Sequence, residues 1–318
     1  MKVTVVGAGG NVGSTVALSV AQRDFAKEVI AVDLERKDGD KTFYPSKGRA
    51  LDQWEASPIH LFDTRIKGTT DYADTAGSDV CVITAGVPRR PGMSRDDLLE
   101  INANIVRSVS EQLVKYSPDT IIIVVSNPLD VMVQVAKDAS GLPYEKVMGM
   151  AGILDTARYR AFIADELDVS PKDIQALLMG GHGDTMVPLP RFTTLAGMPI
   201  THFISEERLG EIVDRAKKGG GELVGLMGTS AWYAPGAAAA QMVEAILLDQ
   251  NRIFPVCAHI DGQYGIDDLY IGVPVKLGKG GIKEIIEVDL TADEQELMNE
   301  SAKAVRGTVE DFKKLMNK

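Results

Sequence analysis

Residues 3–6, 29–32, 80–84 and 121–125 form short, almost continuously apolar runs bounded by turn residues. That pattern predicts strands buried on both faces, as in a parallel sheet. Helical periodicity fills the intervals. Residues 96–116, for instance, open on Asp96 and Asp97 and close near Lys115, which suits the two ends of a helix. Strands alternating with helices predict a doubly wound α/β domain over residues 1–150.

Past residue 150 the pattern loosens. Helices are predicted over 154–167 and 222–248, strand-like runs over 174–179 and 270–275, and a charged amphipathic helix over 293–318 whose charges read as a solvated face. A second, mixed α+β domain over 151–318 is expected to pack on the first. Residues 35–47 are polar and turn-rich and read as a surface loop.

Composition narrows the function. The 318 residues are 45% hydrophobic and 25% charged, ordinary for a soluble globular protein, and the formal net charge is −11. Nucleic acid is therefore an unsuitable partner, and an anionic ligand needs a local cationic patch. The apolar runs fall far short of the ~20 residues that span a bilayer, so no membrane role is expected. Residues 1–6 lead straight into a glycine turn and read as a first strand, not a cleavable leader. Two cysteines with no paired spacing, Cys81 and Cys257, fit a reducing, cytoplasmic compartment.

The first strand ends in Gly7-Ala8-Gly9-Gly10-Asn11-Val12-Gly13 ahead of a helical stretch. Glycines allow a tight turn and close approach of a pyrophosphate, which the N–H groups of the next helix attract. Asp33 ends the second strand twenty residues past Gly13. A carboxylate there accepts ribose hydroxyls and repels a 2′-phosphate, which favours NAD over NADP even with Arg36 and Lys37 close by.

Four further segments carry a resemblance. They are 85–95 (Ala-Gly-Val-Pro-Arg-Arg-Pro-Gly-Met-Ser-Arg), Ser126-Asn127-Pro128, Ile153-Leu154-Asp155-Thr156-Ala157-Arg158 and Gly180-Gly181-His182-Gly183-Asp184. In order and spacing they are similar to the signatures of the malate/lactate dehydrogenase family, nearest to its lactate-dehydrogenase-like malate branch. The glycine turn has one residue more than that branch's usual form. The resemblance implies a Rossmann dinucleotide-binding domain, an α+β catalytic domain, and reversible NAD-dependent oxidation of (S)-malate to oxaloacetate, a reaction of the tricarboxylic acid cycle. It also implies a homodimer or homotetramer.

Oxidising a 2-hydroxy acid needs a base, and His182, set among glycines, is the best placed of four histidines. The resemblance assigns Asp155 to orient its ring and Arg158 to grip the substrate's C1 carboxylate. It assigns Arg89 to the distal carboxylate, Arg95 to polarising the carbonyl and Asn127 to a substrate hydrogen bond. The cofactor would meet Gly7, Gly9, Gly10, Asn11, Val12, Gly13 and Asp33, with Asn102, Val125 and Asn127 on the nicotinamide side; no metal is expected.

Two alternatives stay open. Lactate dehydrogenase would need a neutral residue at position 89, because an arginine enclosed against a methyl group is an unpaired, desolvated charge. A non-catalytic dinucleotide-binding module would have no use for a base, its orienter and three substrate-facing arginines.

Overall fold

A computed structural model describes residues 1–88 and 94–316, apart from the side chain of Arg95. Strands apolar on both faces need cover on both sides, and the chain supplies it with helices. β1 (Lys2–Val6), β2 (Glu28–Val32), β3 (Arg65–Thr69), β4 (Val80–Ile83), β5 (Ile121–Val124) and β6 (Val147–Gly149) run parallel in the order 3-2-1-4-5-6. Val3, Val5, Val80 and Val82 pack on one face with Val16 and Val20 of α1 (Asn11–Gln22). Val6, Ile83 and Ile122 pack on the other with Leu99 and Leu113 of α3 (Arg95–Tyr116) and Val133 of α4 (Leu129–Ser140). α2 (Pro45–Glu55) packs beside β3. Strand order reverses between β1 and β4, which opens a crevice at the carboxyl ends of the strands.

The sheet does not stop at residue 150. β7 (Arg252–Ile260), β8 (Leu269–Gly278) and β9 (Gly281–Ile285) add to it antiparallel, with Cys257 opposite Gly149, giving nine strands in the order 9-8-7-6-5-4-1-2-3. Gly149 is required at that seam, because a Cβ there would lie 2.9 Å from the Cβ of Cys257 and 2.7 Å from a methyl of Val133. Four further long helices follow: α5 (Gly152–Leu167), α6 (Glu206–Met227), α7 (Tyr233–Leu247) and α8 (Ala292–Met316). Tyr159 and Ile163 of α5 share a third core with Leu209, Ile212 and Ala216 of α6.

Three sequence expectations need correction. The helix expected over 222–248 is two helices, α6 and α7, because Gly228 takes a left-handed conformation (φ 69°) that ends α6. The run 174–179 is two short strands, Ile174–Gln175 and Leu178–Met179, which pair with different partners. Residues 35–47 are not a plain loop. Arg36–Asp38 and Lys41–Phe43 form an exposed hairpin turned at Gly39, and α2 begins at Pro45. Among the described residues no helix is long and apolar enough to cross a membrane.

Candidate active site

The glycine turn is sterically dictated. Gly7 has φ 87°, and a Cβ on it would lie 2.7 Å from the nitrogen of Ala85; one on Gly13 would lie 2.5 Å from the carbonyl of Gly7. Gly10 precedes α1 without a side-chain cap, and its N–H donates to the Gly7 carbonyl at 3.0 Å. Gly9 turns the other way. Its N–H donates to Asp33 Oδ2 at 2.7 Å, while Leu34 N–H donates to Oδ1 at 2.7 Å. The first turn of α1 carries Asn11, whose side chain accepts from Arg49 at 2.8 Å, and the half-buried Val12. Gly7, Gly10, Asp33, Arg36 and Tyr72 line one cleft of about 590 Å³. Burial and the Asp33 charge push the Tyr72 hydroxyl up to about 12.

Across the crevice, Asn102 of α3 is buried and fully engaged with backbone. It accepts from Val87 N–H at 2.8 Å and donates to the carbonyls of Val87 (3.2 Å) and Asn127 (2.8 Å). It shapes the wall of the crevice by tying the segments after β4 and β5 together. Val125 continues β5 through a bond to Ile83, and Asn127 next reaches the surface.

The second cluster sits below. Asp155 and Arg158 are three apart on α5 and so share a helix face. Asp155 Oδ2 lies 2.9 Å from His182 Nδ1, and its Oδ1 accepts from Arg158 Nη1 at 3.4 Å. The Asp155, Arg158 and His182 side chains are 3%, 15% and 22% exposed, so Asp155–Arg158 is not the surface ion pair that its spacing alone would suggest. Arg158 Nε is buried with no protein partner among the described residues. The His182 loop is pinned from two sides. Gly180 and Gly272 exchange backbone hydrogen bonds (2.8 and 3.0 Å), and Gly181 N–H donates to Ser301 Oγ of α8 at 2.8 Å. Burial alone would lower the imidazole's pKa, but the Asp155 charge and hydrogen bond, with help from Asp130, hold it above the ordinary histidine value. A carboxylate on Nδ1 calls for a proton there, which leaves Nε2 to exchange the second proton.

Arg89 lies outside the described residues. Of Arg95 only the backbone is described, at the start of α3, where Ser94 and Asp97 form a reciprocal cap (both 3.0 Å).

Comparison with known proteins meets this geometry. Residues 1–149 match the lactate/malate dehydrogenase NAD binding domain, and residues 153–316 match the lactate/malate dehydrogenase alpha/beta C-terminal domain. The chain belongs to the lactate/malate dehydrogenase family. It is accordingly an NAD-dependent oxidoreductase. A malate dehydrogenase from Salinibacter ruber is 62% identical over 315 residues, which is 99% of this chain and 98% of the relative. A solved structure of malate dehydrogenase from that organism superposes with a TM-score of 0.93, 60% identity and coverage of 100% and 99% of the two chains. Lactate dehydrogenase from Cryptosporidium parvum, solved with lactic acid and nicotinamide adenine dinucleotide, superposes at 0.91 with 38% identity over 98% of each chain.

The crevice fits the family's cofactor, because a glycine cradle that any Cβ would fill faces a carboxylate at the β2 tip. Sequence reasoning missed two participants in the dehydrogenase site. Asp130, in the first turn of α4, and Ser301, from the far end of the chain, both hold backbone of the 181–182 segment. The signal for Asp130 was an acidic residue three positions past Asn127 at a helix start; Ser301 has no local signal.

Proposed function

We propose that the chain catalyses reversible NAD-dependent oxidation of (S)-malate to oxaloacetate with His182 as acid and base. The observation that carries this reading is one buried carboxylate, Asp155, bonded to the His182 ring on one oxygen and to Arg158 on the other. It orients a base and a carboxylate-gripping cation together, as a 2-hydroxy acid requires.

NAD, when bound, supplies the hydride acceptor. Gly7, Gly10 and Gly13 with the α1 N-terminus would hold its pyrophosphate, and Asp33 its adenosine ribose. His182 Nε2 takes the hydroxyl proton during oxidation and returns it in reduction, while Asp155 stabilises the imidazolium. Arg158 holds the C1 carboxylate, with its unpartnered Nε as a spare donor, and Asn127 supplies a hydrogen bond. Arg95 polarises the carbonyl, and Arg89 pairs with the distal carboxylate and so excludes a methyl group.

The cofactor half ends and the substrate half begins near residue 150. The exposed apolar side chains of Leu51, Ile59, Leu61, Leu226 and Tyr233 support a homodimer or homotetramer, which sizing would measure. Two buried free thiols, Cys81 and Cys257, support a cytoplasmic setting.

The test is NADH oxidation with oxaloacetate, with pyruvate and with no substrate. Oxaloacetate is expected to dominate. Faster turnover of pyruvate would make the chain a lactate enzyme, and none with either would leave a binding module. His182→Asn should lower turnover at least ~10²-fold while NADH still binds.

A further inference from the structure

Behind the His182 loop lies a carboxylate that the reaction scheme above leaves unused. Asp130 Oδ2 accepts from the backbone N–H of His182 at 3.3 Å, and Oδ1 accepts from the thiol of Cys257 at 3.3 Å. The three groups come from α4, from the 180–183 loop and from β7. Asp130 therefore couples the base to both halves of the sheet at the seam where Cys257 meets Gly149.

Charge balance gives this contact a second meaning. Asp155 is already shared, since Arg158 claims one of its oxygens. In the free enzyme, before a substrate carboxylate occupies Arg158, Asp155 and Arg158 cancel, and a protonated His182 ring needs another negative charge. Asp130 is the carboxylate in place to supply it. Burial holds its carboxyl above the usual carboxylate range, so its negative charge depends on the groups that oppose burial: the Cys257 thiol, the His182 charge and the His182 N–H. Its position in the first turn of α4 also favours an anion. Asp184 and, from α8, Glu300, Lys303 and Asp311 line the same cleft of about 750 Å³, yet none of them has a hydrogen bond to His182.

We propose that Asp130 is a positioning residue for the base: it anchors the His182 backbone, and its charge balances the imidazolium that Asp155 alone must share with Arg158. The inference rests on His182 acting as acid and base. It predicts that the proton affinity of His182, and not only the stability of the loop, depends on Asp130.

The experiment is the pH dependence of kcat/KM for oxaloacetate reduction, which reports the free enzyme and needs the imidazolium. Asp130→Asn keeps the size and one accepting oxygen but removes the charge. The pH at which activity falls off on the alkaline side should drop by about one pH unit, with NADH binding unchanged. Cys257→Ala leaves the carboxylate but removes its donor, so Asp130 holds its charge over less of the range. The same limb should move the same way by less. An Asp130→Asn profile that superimposes on the parent overturns the proposal, even if kcat/KM is lower. Should that variant fail to fold, an unmoved limb in Cys257→Ala overturns it alone. His182→Asn separates the two ideas. If it keeps its turnover, the base assignment falls; if it is inactive while both profiles stay unmoved, only the role of Asp130 falls.

Discussion

Gly219 of α6 stands so close to Arg158 that a Cβ on it would lie 3.2 Å from the arginine Cδ. It is the first of three consecutive glycines inside a helix, yet Gly220 and Gly221 have nothing within 4 Å of where a Cβ would go. Helix-interior glycine costs roughly 1 kcal/mol relative to alanine. Gly220→Ala and Gly221→Ala should therefore stabilise the fold by about 0.5–1 kcal/mol, read as a higher Tm, with KM unchanged. Gly219→Ala should displace the guanidinium and raise KM for oxaloacetate several-fold, leaving NADH affinity intact. Equal KM values for all three variants would show that the arginine tolerates the methyl group.

Asp33 holds the turn as well as facing the cofactor cleft. Asp33→Ser should narrow the NADH/NADPH ratio of kcat/KM, because Arg36 lines the same cleft and no carboxylate then opposes a 2′-phosphate. It should also weaken NADH binding, since Gly9 N–H loses its acceptor. A parent enzyme already indifferent between the two cofactors would mean that Arg36 overrides the carboxylate.

The pH behaviour follows from His182. Its pKa is raised above the ordinary 6.5, and reduction of oxaloacetate needs the protonated ring. Reduction should thus persist above pH 6.5 and be lost as pH rises through the raised value, while malate oxidation is gained over the same range. Asp155→Asn removes the main source of the elevation, so both transitions should move to lower pH by one unit or more on the order-of-magnitude scale for an adjacent opposite charge. Stopped-flow rates in both directions would check it.

Substrate choice is predicted to rest on position 89. Arg89→Gln removes a charge-assisted contact to the distal carboxylate and also the cation that excludes a methyl, each effect amounting to ~2–4 kcal/mol. The oxaloacetate/pyruvate ratio of kcat/KM should fall by several orders of magnitude, whereas Arg90→Gln should hardly move it. Equal shifts in the two variants would mean a diffuse basic patch.

Much of this fold is legible in the sequence where burial is symmetrical. β1, β2, β4 and β5 stand out because both their faces are covered. β3 does not, because it is the sheet edge and leaves Arg65 and Lys67 exposed. β7 is masked by Pro255, which reads as a strand breaker; in the fold it sits opposite Pro274, so the two missing N–H groups fall at the same pair. The site divides in the same way. His182 is visible through its flanking glycines, whereas Asp155 and Arg158 stand out only through the family signature that holds them, because their spacing alone suggests a surface ion pair. Asp130, Ser301 and Gly219 act through contacts 52, 120 and 61 residues away in the chain, which no local pattern encodes.

The seam between Gly149 and Cys257 also sets an order of events during synthesis. The six parallel strands are complete once residue 149 has left the ribosome, but the open side of β6 gains its neighbour only about a hundred residues later. Until then the nascent chain displays an unpaired strand edge whose residues are wholly apolar, the kind of surface that recruits other chains. Slowing translation between residues 150 and 252 should therefore increase misassembly. That makes the second half of the polypeptide the first half's protection against self-association.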